Sequence, residues 1–316
     1  MVVIGGDYLN TKAFTLALFA VVIWGSSFAA IRVALQGGYD AGENVLARFL
    51  IASALFLGYA LWPGTKFRLP EKYDIIRILV LGWIGISLYH IFVTFGMETI
   101  SAGTAGMLVG SGPIFTALIA IFFLKERLGS LGWIGLAIGF VGISFIAFGA
   151  DGASLTLTPG ALLVLIAAFA SAIFFVFQKP LLTRYSAIEL TAYFTWAGTM
   201  PFFVFAPGLA TTLGTASVEA HLATLYVGIF PAAIGYVMWA TALSLANASS
   251  VSSLIYLEPG VAILVAWIWL QELPTGLALI GGVIAIGGVI IVNAFGKKGI
   301  FSKARQPAIS NALNKG

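Results

Sequence analysis

Apolar residues run along this chain in long blocks that are separated by short polar segments. Each block has the length of about 20 residues that an α-helix needs to cross the hydrocarbon core of a bilayer. None alternates between polar and apolar residues with the period of two that a membrane-spanning strand would have. We therefore predict helices at 12–35, 44–62, 75–97, 102–124, 130–149, 159–180, 188–207, 219–243, 250–270 and 275–295.

The composition supports this prediction. Charged residues make up only 9% of the 316 residues and hydrophobic residues 60%, whereas a soluble domain usually carries about 25% charged residues. Helices suit such a chain because they satisfy their own backbone hydrogen bonds within lipid. The first block has no small-residue cleavage site and is longer than the apolar core of a signal peptide, so we expect it to remain as a span. The absence of cysteine excludes disulfides, thiolate metal sites and cysteine nucleophiles.

The second half of the chain repeats the first with a constant offset. Pro113 aligns with Pro259 and Glu126 with Glu272, in both cases 146 positions later, and the match continues without a gap into the following span. Because each half holds five predicted spans, an odd number, the second half must enter the membrane from the opposite side. We therefore predict an all-α polytopic membrane protein with ten transmembrane helices in two inverted five-helix repeats, residues 1–150 and 151–296, and a basic cytoplasmic tail, 297–316.

Basic residues are concentrated in segments that would lie on one side of the membrane. The segment 63–77 carries four lysines and arginines, whereas its counterpart in the second half, 209–223, carries none. Cytoplasmic loops of membrane proteins carry an excess of these residues. We therefore expect both termini in the cytoplasm and the protein in the cytoplasmic (inner) membrane of a bacterial cell. The formal net charge of +4 follows from this bias, so it does not indicate nucleic-acid binding.

Short motifs in both halves resemble those of a known transporter family. They are "WGSSF" at 24–28, "ARF" at 47–49 and the two proline–glutamate segments that the repeat aligns. In register over nearly the whole chain, they resemble the EamA-type transporters of the drug/metabolite transporter (DMT) superfamily. In the second half "ASAIF" at 170–174 stands in place of "WGSSF". The resemblance implies a five-plus-five inverted arrangement around a central cavity, with small organic metabolites, amino acids among them, as cargo.

Inverted repeats are typical of secondary transporters, whose two halves exchange conformations around a site near the middle of the membrane. We predict a secondary transporter, and more specifically an exporter, of small organic metabolites by alternating access around a central cavity. The low charge of the predicted spans favours neutral or zwitterionic amino acids or related compounds. Nucleotide-sugar and multidrug cargoes are the alternatives within transport. The chain has no P-loop, so ATP-driven pumping is not expected.

Two other classes of protein are alternatives, an intramembrane enzyme and a non-transporting membrane scaffold. An enzyme would need a nucleophile with a base or a metal site, but the chain has only two histidines, His90 and His221, and no HExxH motif. We therefore expect no enzymatic activity, no cofactor, no metal and no nucleic-acid partner. The expected partners are the lipid bilayer, a small-molecule substrate and protons as candidate coupling ions, and the protein is expected to be a monomer or a homodimer.

The third predicted span carries a stripe of polar and aromatic residues. Trp83, Ser87 and His90 are four and three positions apart, so they share a helix face that should point into the bundle. His90 is a candidate for substrate binding or titration near neutral pH, or it is a histidine hydrogen-bonded between helices. The predicted substrate-binding residues are Trp24, Ser27, Trp83, Ser87, His90, Tyr236, Trp239 and Tyr256.

Glu258 lies inside an apolar span, directly before a proline. An acid at this depth must be neutral, paired or in contact with water. It is a candidate for proton coupling or for binding a cargo amine, and the structural alternative is that it caps backbone groups freed by Pro259. Pro113 is at the matching position of the fourth span. Matched helix breaks indicate a transporter's hinge or site, and the alternative is a packing kink.

Arg32 and Arg48 are predicted near the outer ends of the first two spans. We expect them to reach the outer lipid headgroups or to pair with Asp40 and Glu43 in the intervening loop. The position of Arg48 within "ARF" favours a fixed structural pair, and contact with an anionic cargo at the external gate is the alternative. The predicted coupling or gating residues are Glu258, Pro113, Pro259 and Arg48.

Small residues recur four positions apart in the fifth and tenth predicted spans, at 135 and 139 and at 281 and 285. Such spacing lets helices approach closely. We therefore predict that these two spans are scaffold helices, which pack together or across a dimer.

Overall fold

The computed structural model describes residues 2–4, 7–9, 11–123, 129–150, 157–245, 251 and 253–295. Predictions that concern Glu126 and the basic tail, 297–316, lie outside the described residues. Two short strands, β1 (Val2–Ile4) and β2 (Asp7–Leu9), form an antiparallel pair in which Val2 lies opposite Leu9. The other described elements are helices.

The described residues of the first half form seven α-helical segments. A π-helical segment, Trp83–Leu88, joins the third to the fourth, and a two-residue turn separates the fifth from the sixth. The helices are α1 (Thr11–Gln36), α2 (Ala41–Ala60), α3 (Lys72–Gly82), α4 (Tyr89–Gly96), α5 (Ala102–Val109), α6 (Gly112–Phe123) and α7 (Ser130–Phe148).

The second half also forms seven α-helical segments within the described residues. They are α8 (Pro159–Gln178), α9 (Ala187–Thr199), α10 (Ala206–Thr215), α11 (Val218–Ile229), α12 (Tyr236–Leu245), α13 (Glu258–Leu270) and α14 (Gly276–Phe295). A π-helical segment, Phe230–Gly235, joins α11 to α12, and 3₁₀ helices occupy Leu181–Thr183, Met200–Phe205 and Ser253–Leu257.

Polar side chains at helix N-termini explain where several of these helices begin. The hydroxyls of Ser101, Thr158 and Ser217 accept hydrogen bonds from the backbone N–H groups three residues later, which would otherwise lack a partner. Ser186 does the same and Glu189 bonds back to it, so α9 begins with a complete capping box. These caps allow helices to start next to apolar blocks without leaving buried donors unsatisfied.

Seven helices among the described residues are long and apolar enough to cross a membrane, and two shorter apolar helices lie at Leu254–Leu270 and Gly276–Val292. The predicted span at 188–207 corresponds to α9 and the 3₁₀ helix that follows it. Large apolar side chains on the outer surface are exposed, as at Val283 (74%) and Phe122 (72%), which suits contact with lipid tails. The protein is an integral membrane protein built of helices. The seven candidate spans are Thr11–Gln36, Ala41–Ala60, Lys72–Gly96, Ala102–Ile119, Ser130–Phe148, Pro159–Thr183 and Val218–Leu245.

The two halves of the chain are interleaved. Helix α1 packs against α11, α12 and α13 of the second half, while α8 packs against α4, α5 and α6 of the first half. Helix α2 lies against α9 and α11. Because the first helix of each half is surrounded by helices of the other, the apolar interior is shared between the halves.

Helices α7 and α14 pack together through glycines. A Cβ atom added at Gly142 would lie 2.3 Å from the backbone nitrogen of Ala285, and one added at Gly288 would lie 2.4 Å from the backbone nitrogen of Gly139. The two backbones therefore touch, as small residues permit. The structure thus has the predicted scaffold pair packed within the chain.

Candidate functional site at the centre of the bundle

Two interrupted helices meet near the centre. The fourth predicted span is broken between α5 and α6 at Gly110 and Ser111, and a 3₁₀ helix precedes α13 in the second half. Pro113 and Pro259 are each the second residue of the helix that follows the break, where proline needs no hydrogen-bonded N–H. A Cβ at Gly110 would lie 2.2 Å from the Pro259 Cγ atom, so the two breaks pack directly against each other.

Arg48 is completely buried, with none of its surface exposed. Its Nη2 atom lies 2.8 Å from the Thr94 hydroxyl and 3.4 Å from His90 Nδ1, while Nε and Nη1 have no hydrogen-bond partner among the described residues. The expectation that Arg48 reaches the headgroups or pairs in the loop is wrong. Arg48 lies two turns inside α2, where its side chain points at α4 rather than back toward the loop.

The hydrogen bonds around His90 have a defined direction. A guanidinium only donates, so Nδ1 of His90 must accept from Arg48, and the ring proton lies on Nε2. Nε2 is 3.2 Å from the Tyr236 hydroxyl oxygen, which therefore accepts. The hydroxyl proton of Tyr236 is left to donate elsewhere. The hydrogen-bonded series of Arg48, His90 and Tyr236 thus offers hydrogen-bond donors to the groups around it.

Aromatic rings surround Tyr236, the last residue of this hydrogen-bonded series. The Trp24 ring centre lies 5.2 Å from that of Tyr236 and 5.3 Å from that of Trp239, and Phe175 is 6.5 Å from Trp24. The Trp24 indole donates to the Pro231 carbonyl oxygen at 3.2 Å, which fixes the ring across the two halves. A narrow cavity of about 10 Å³, room for roughly one water molecule, reaches this group and is lined by Ile86, Phe174, Phe175, Gln178, Thr191, Phe194, Tyr236, Trp239 and Ala240.

Glu258 lies at the first position of α13 and is only 5% exposed. The hydrogen bonds and ion pairs of the described residues include none for its carboxyl group. It lies within electrostatic range of the hydroxyls of Tyr89 and Tyr236, and Arg48 interacts with the same two hydroxyls. Glu258 therefore faces the same interior region as Arg48 without a direct bond to it.

Four of the predicted binding residues, Trp24, His90, Tyr236 and Trp239, lie together in this region. Ser27 lies on the same helix as Trp24, but its hydroxyl bonds to the Trp24 carbonyl oxygen at 2.6 Å. We refer to Arg48, His90, Tyr236, Trp24, Trp239 and Glu258 as the central group.

Three other predicted residues lie outside the central group. Trp83 is 45% exposed and donates to the Ala197 carbonyl oxygen at 3.1 Å, whereas Ser87 is buried and donates to the Gly198 carbonyl oxygen at 2.7 Å. The π-helical segment begins at Trp83, so the α-helical spacing from Trp83 to His90 no longer applies. Tyr256 packs instead against an apolar cluster of Ile114, Leu136, Ile143, Val289 and Val292.

Sequence reasoning missed two members of this region, Tyr89 and Phe175. Tyr89 precedes His90 directly and its ring lies 4.6 Å from the imidazole, so a search for residues three and four apart passes over it. Phe175 follows the "ASAIF" segment without any polar neighbour, and nothing in the sequence distinguishes it from the many phenylalanines of the core.

Polar contacts tie the two halves together at the C-terminal end of α1. Thr212 donates to the Glu43 carboxylate, Asn44 donates to Thr224 at 3.0 Å, and the Tyr39 hydroxyl lies 3.0 Å from His221. We call this set the Glu43 cluster, made of Tyr39, Glu43, Asn44, Thr212, His221 and Thr224.

Arg32 also bonds to the second half. It pairs with Glu272 at 3.2 Å and donates to the Met97 carbonyl oxygen at 2.7 Å. The expectation that it pairs with Asp40 or Glu43 is wrong, because the end of α13 brings Glu272 closer.

A second set of contacts joins the halves where α3 meets the segment before α9. Arg184 donates to both Asp74 oxygens at 3.0 Å, and Tyr185 donates to the same carboxylate at 2.9 Å. The hydrogen bond to Asp74 raises the pKa of Arg184. Arg68 and Glu189 form an ion pair at 3.3 Å. We call Arg68, Asp74, Arg184, Tyr185 and Glu189 the Glu189 cluster.

Comparison with known proteins identifies the family. The model of the EamA-like transporter family matches the chain twice, at residues 11–148 and 158–294. The chain belongs to the EamA-like transporter family. The two matches place one copy of the family model in each half of this EamA-like transporter.

Several relatives of this EamA-like transporter are named as transporters rather than enzymes. "Uncharacterized transporter YdfC" of Bacillus subtilis (strain 168) is 39% identical over 84% of this chain and 86% of its own length. "Probable terminal-alkyne amino-acid exporter" of Streptantibioticus cattleyicolor is 37% identical over 90% of this chain and 94% of its own. "Probable amino-acid metabolite efflux pump" of Escherichia coli (strain K12) is 27% identical over 91% and 96%.

A solved structure, titled "Crystal structure of protein", has the same fold. Its TM-score to this chain is 0.62 at 20% sequence identity, and the match covers 89% of this chain and 96% of the other.

Proposed function

We propose that this EamA-like transporter is a secondary exporter of neutral or zwitterionic amino acids or related compounds. The observation that carries the proposal is the central group, where a buried, donor-rich chain of Arg48, His90 and Tyr236 ends among aromatic rings. Such a combination of few polar groups and apolar walls suits a small organic molecule. The names of two relatives, an amino-acid exporter and an amino-acid metabolite efflux pump, support the choice of cargo.

The proposal includes ten spans in two inverted five-helix repeats, and reciprocal contacts support it. A Cβ at Gly82 would lie 2.8 Å from the Ala197 side chain, and one at Gly228 would lie 2.8 Å from that of Ile51. The offset of 146 converts the first contact into the second, as a two-fold axis between the halves requires.

Two hydrogen bonds support an axis through the centre of the molecule. His90 bonds to Tyr236 and Ser53 bonds to Thr199, and each pair is separated by the same 146 positions. Residues that contact their own equivalents lie next to a two-fold axis. A site on such an axis can open toward either side of the membrane by equivalent motions of the two halves.

Alternating access requires that the halves separate at one end at a time. The Glu43 cluster and the Glu189 cluster are suited to this role, since Tyr39 and Glu43 are 146 positions before Tyr185 and Glu189. In our proposal Pro113 and Pro259 form the hinge between the interrupted helices, and Arg48 and Glu258 link the substrate to gating. We also propose that both termini are cytoplasmic, that the protein lies in the bacterial inner membrane, and that protons drive export.

Counterflow in proteoliposomes tests the proposal. Purified protein is reconstituted into vesicles loaded with one unlabelled amino acid, and entry of the same labelled amino acid is followed with and without a pH gradient. We expect saturable counterflow for at least one neutral amino acid, none in protein-free vesicles, and faster net transport with the gradient. Absence of counterflow for every amino acid by folded protein would overturn the proposed cargo class.

A further inference from the structure

Arg48 carries a charge that no described carboxylate balances. Its two acceptors, Thr94 and His90, are neutral, and its Nε and Nη1 atoms have no partner among the residues that the structure describes. The Thr94 hydroxyl donates its own hydrogen bond to the His90 carbonyl oxygen at 2.8 Å. An unpaired guanidinium inside a membrane protein is unfavourable unless an anion or water joins it. Nε and Nη1 of Arg48 can therefore each donate to a further acceptor, and a negatively charged one would also balance the guanidinium.

Glu258 is an acid that likewise has no partner among the residues that the structure describes. It is buried, and its carboxyl has no hydrogen bond or ion pair within the described part of the chain. Its backbone is held firmly, because a Cβ at Gly25 would lie 3.1 Å from the Glu258 carbonyl oxygen and 2.7 Å from the Val261 side chain. The first turn of α13 thus packs closely against α1.

The two unpaired groups belong to one region but do not neutralise each other. Both interact with the hydroxyls of Tyr89 and Tyr236, yet no ion pair joins Arg48 to Glu258. A single anion would satisfy Arg48 and leave Glu258 unpaired, and a single cation would do the reverse. A molecule with both charges would satisfy both groups at once.

We propose that Arg48 and Glu258 bind the two charged ends of one zwitterionic α-amino acid. The guanidinium of Arg48 and the Tyr236 hydroxyl donate to the substrate carboxylate, and the Glu258 carboxylate accepts from the substrate ammonium group. The substrate side chain lies against Trp24, Trp239 and Phe175. This assignment rests on the proposed function and adds which atoms of the cargo are recognised.

The first test compares three molecules that share one aromatic side chain and differ in their charged groups. L-phenylalanine is a zwitterion, L-phenylalaninamide lacks the carboxylate, and 3-phenylpropanoate lacks the ammonium group. Counterflow of labelled L-phenylalanine by the wild-type protein is measured with each as competitor. We expect half-inhibition by unlabelled phenylalanine at a concentration at least about tenfold lower than by either analogue, because each analogue leaves one buried charge unmatched. If another amino acid gives faster counterflow, its own amide and deaminated acid replace these two.

Two variants test which residue binds which charged end of the amino acid. Arg48→Gln should weaken competition by phenylalanine and by 3-phenylpropanoate about tenfold or more and leave the amide unchanged. Glu258→Gln should weaken competition by phenylalanine and by the amide and leave 3-phenylpropanoate unchanged. Arg32→Gln is the matched control, since Arg32 is paired with Glu272 away from the central group, and it should alter none of the three. If either residue had a purely structural role, its replacement would weaken competition by all three molecules together.

The outcomes separate this inference from the proposed function. Amino-acid counterflow that all three competitors inhibit equally would overturn the zwitterion site and leave the export of amino acids standing. Failure of folded wild-type protein to exchange any amino acid would overturn the proposed function itself. If a variant does not fold, the competition series on the wild-type protein decides the matter alone.

Discussion

Arg48 donates to two side chains of α4, Thr94 and His90, and so sets the protonation of the imidazole ring. Because His90 accepts at Nδ1, it must donate at Nε2, and Tyr236 is then free to donate onward. The direction of all the hydrogen bonds from Arg48 to Tyr236 follows from Arg48, because a guanidinium cannot accept a hydrogen bond. The role of His90 depends on both of its ring nitrogens, which limits the residues that could replace it.

Replacement of His90 tests the direction of this chain. His90→Gln keeps one acceptor and one donor and should retain most counterflow. His90→Leu removes both, leaves Arg48 with one acceptor fewer, and should lower the free energy of unfolding by about 1–3 kcal/mol. Thermal unfolding in detergent and counterflow measure the two effects. Equal behaviour of the two variants would mean that the hydrogen bonds of His90 do not matter.

Trp24 and Trp83 form a natural matched pair. Each indole donates to a backbone carbonyl of the other half, at 3.2 Å to Pro231 and 3.1 Å to Ala197, but only Trp24 belongs to the central group. Trp24→Leu should raise the KM for an aromatic amino acid by about tenfold, since it removes the ring face that contacts Tyr236 and Trp239. Trp83→Leu should change the KM by less than about twofold, because Trp83 faces outward. A similar KM for both variants would exclude Trp24 from the binding site.

At the scale of the helix, the first π-helical segment explains why Trp83 and Ser87 lie outside the observed site. The α-helical period places Trp83, Ser87 and His90 on one face. The helix is wider in the π-helical segment from Trp83 to Leu88, so these three residues no longer share a face. Such segments are frequent at functional sites. Only the second has a local cause in the sequence, Pro231, which cannot donate a backbone hydrogen bond. The first has no such residue, so the sequence contained no signal for it.

The packing of α7 on α14 makes a prediction about neighbouring glycines. A Cβ at Gly288 would lie 2.4 Å from a backbone atom of α7, whereas a Cβ at Gly287 would meet nothing within 4 Å. Gly288→Ala should therefore lower stability by about 1–3 kcal/mol, because the backbones must move apart.

Gly287→Ala is the control for this change. It should be neutral or raise stability by up to about 1 kcal/mol, since alanine favours the helix. Thermal unfolding of both variants in the same detergent makes the comparison. Equal stability would mean that the α7–α14 contact is not tight.

At the scale of the molecule, the hydrophobic pattern predicted where the helices lie, and the repeat predicted which residues correspond. Gly82 and Gly228 are related by the offset of 146, and both stand at close contacts between halves. The depth of Arg48 could not be predicted in this way. Its position near the start of α2 indicated a surface residue, and only the packing of α2 against α4 and α11 places it inside.

The two end clusters predict how the molecule opens. The partners of Tyr39 and Glu43 are Thr212 and His221, whereas those of Tyr185 and Glu189 include the charged residues Asp74 and Arg68. Asp74→Asn weakens the bonds of Arg184 and Tyr185 and should favour separation of the halves at that end.

The natural lack of cysteine allows a direct measurement of this opening. Gln178→Cys places one thiol in the wall of the cavity, and maleimide labelling of it should be several-fold faster when Asp74→Asn is added. Glu43→Gln, at the other end, should leave the rate the same or lower it. Faster labelling with Glu43→Gln than with Asp74→Asn would assign the cavity to the opposite end.

The bond between His90 and Tyr236 also has an evolutionary consequence. The two residues occupy equivalent positions, so in an ancestor made of two identical half-length chains the same residue would have faced itself. A pair of identical side chains has no built-in direction. In a single chain with two copies each position can differ, so an imidazole can face a phenol. The polarity at the heart of the protein is thus something that two identical half-length chains could not encode.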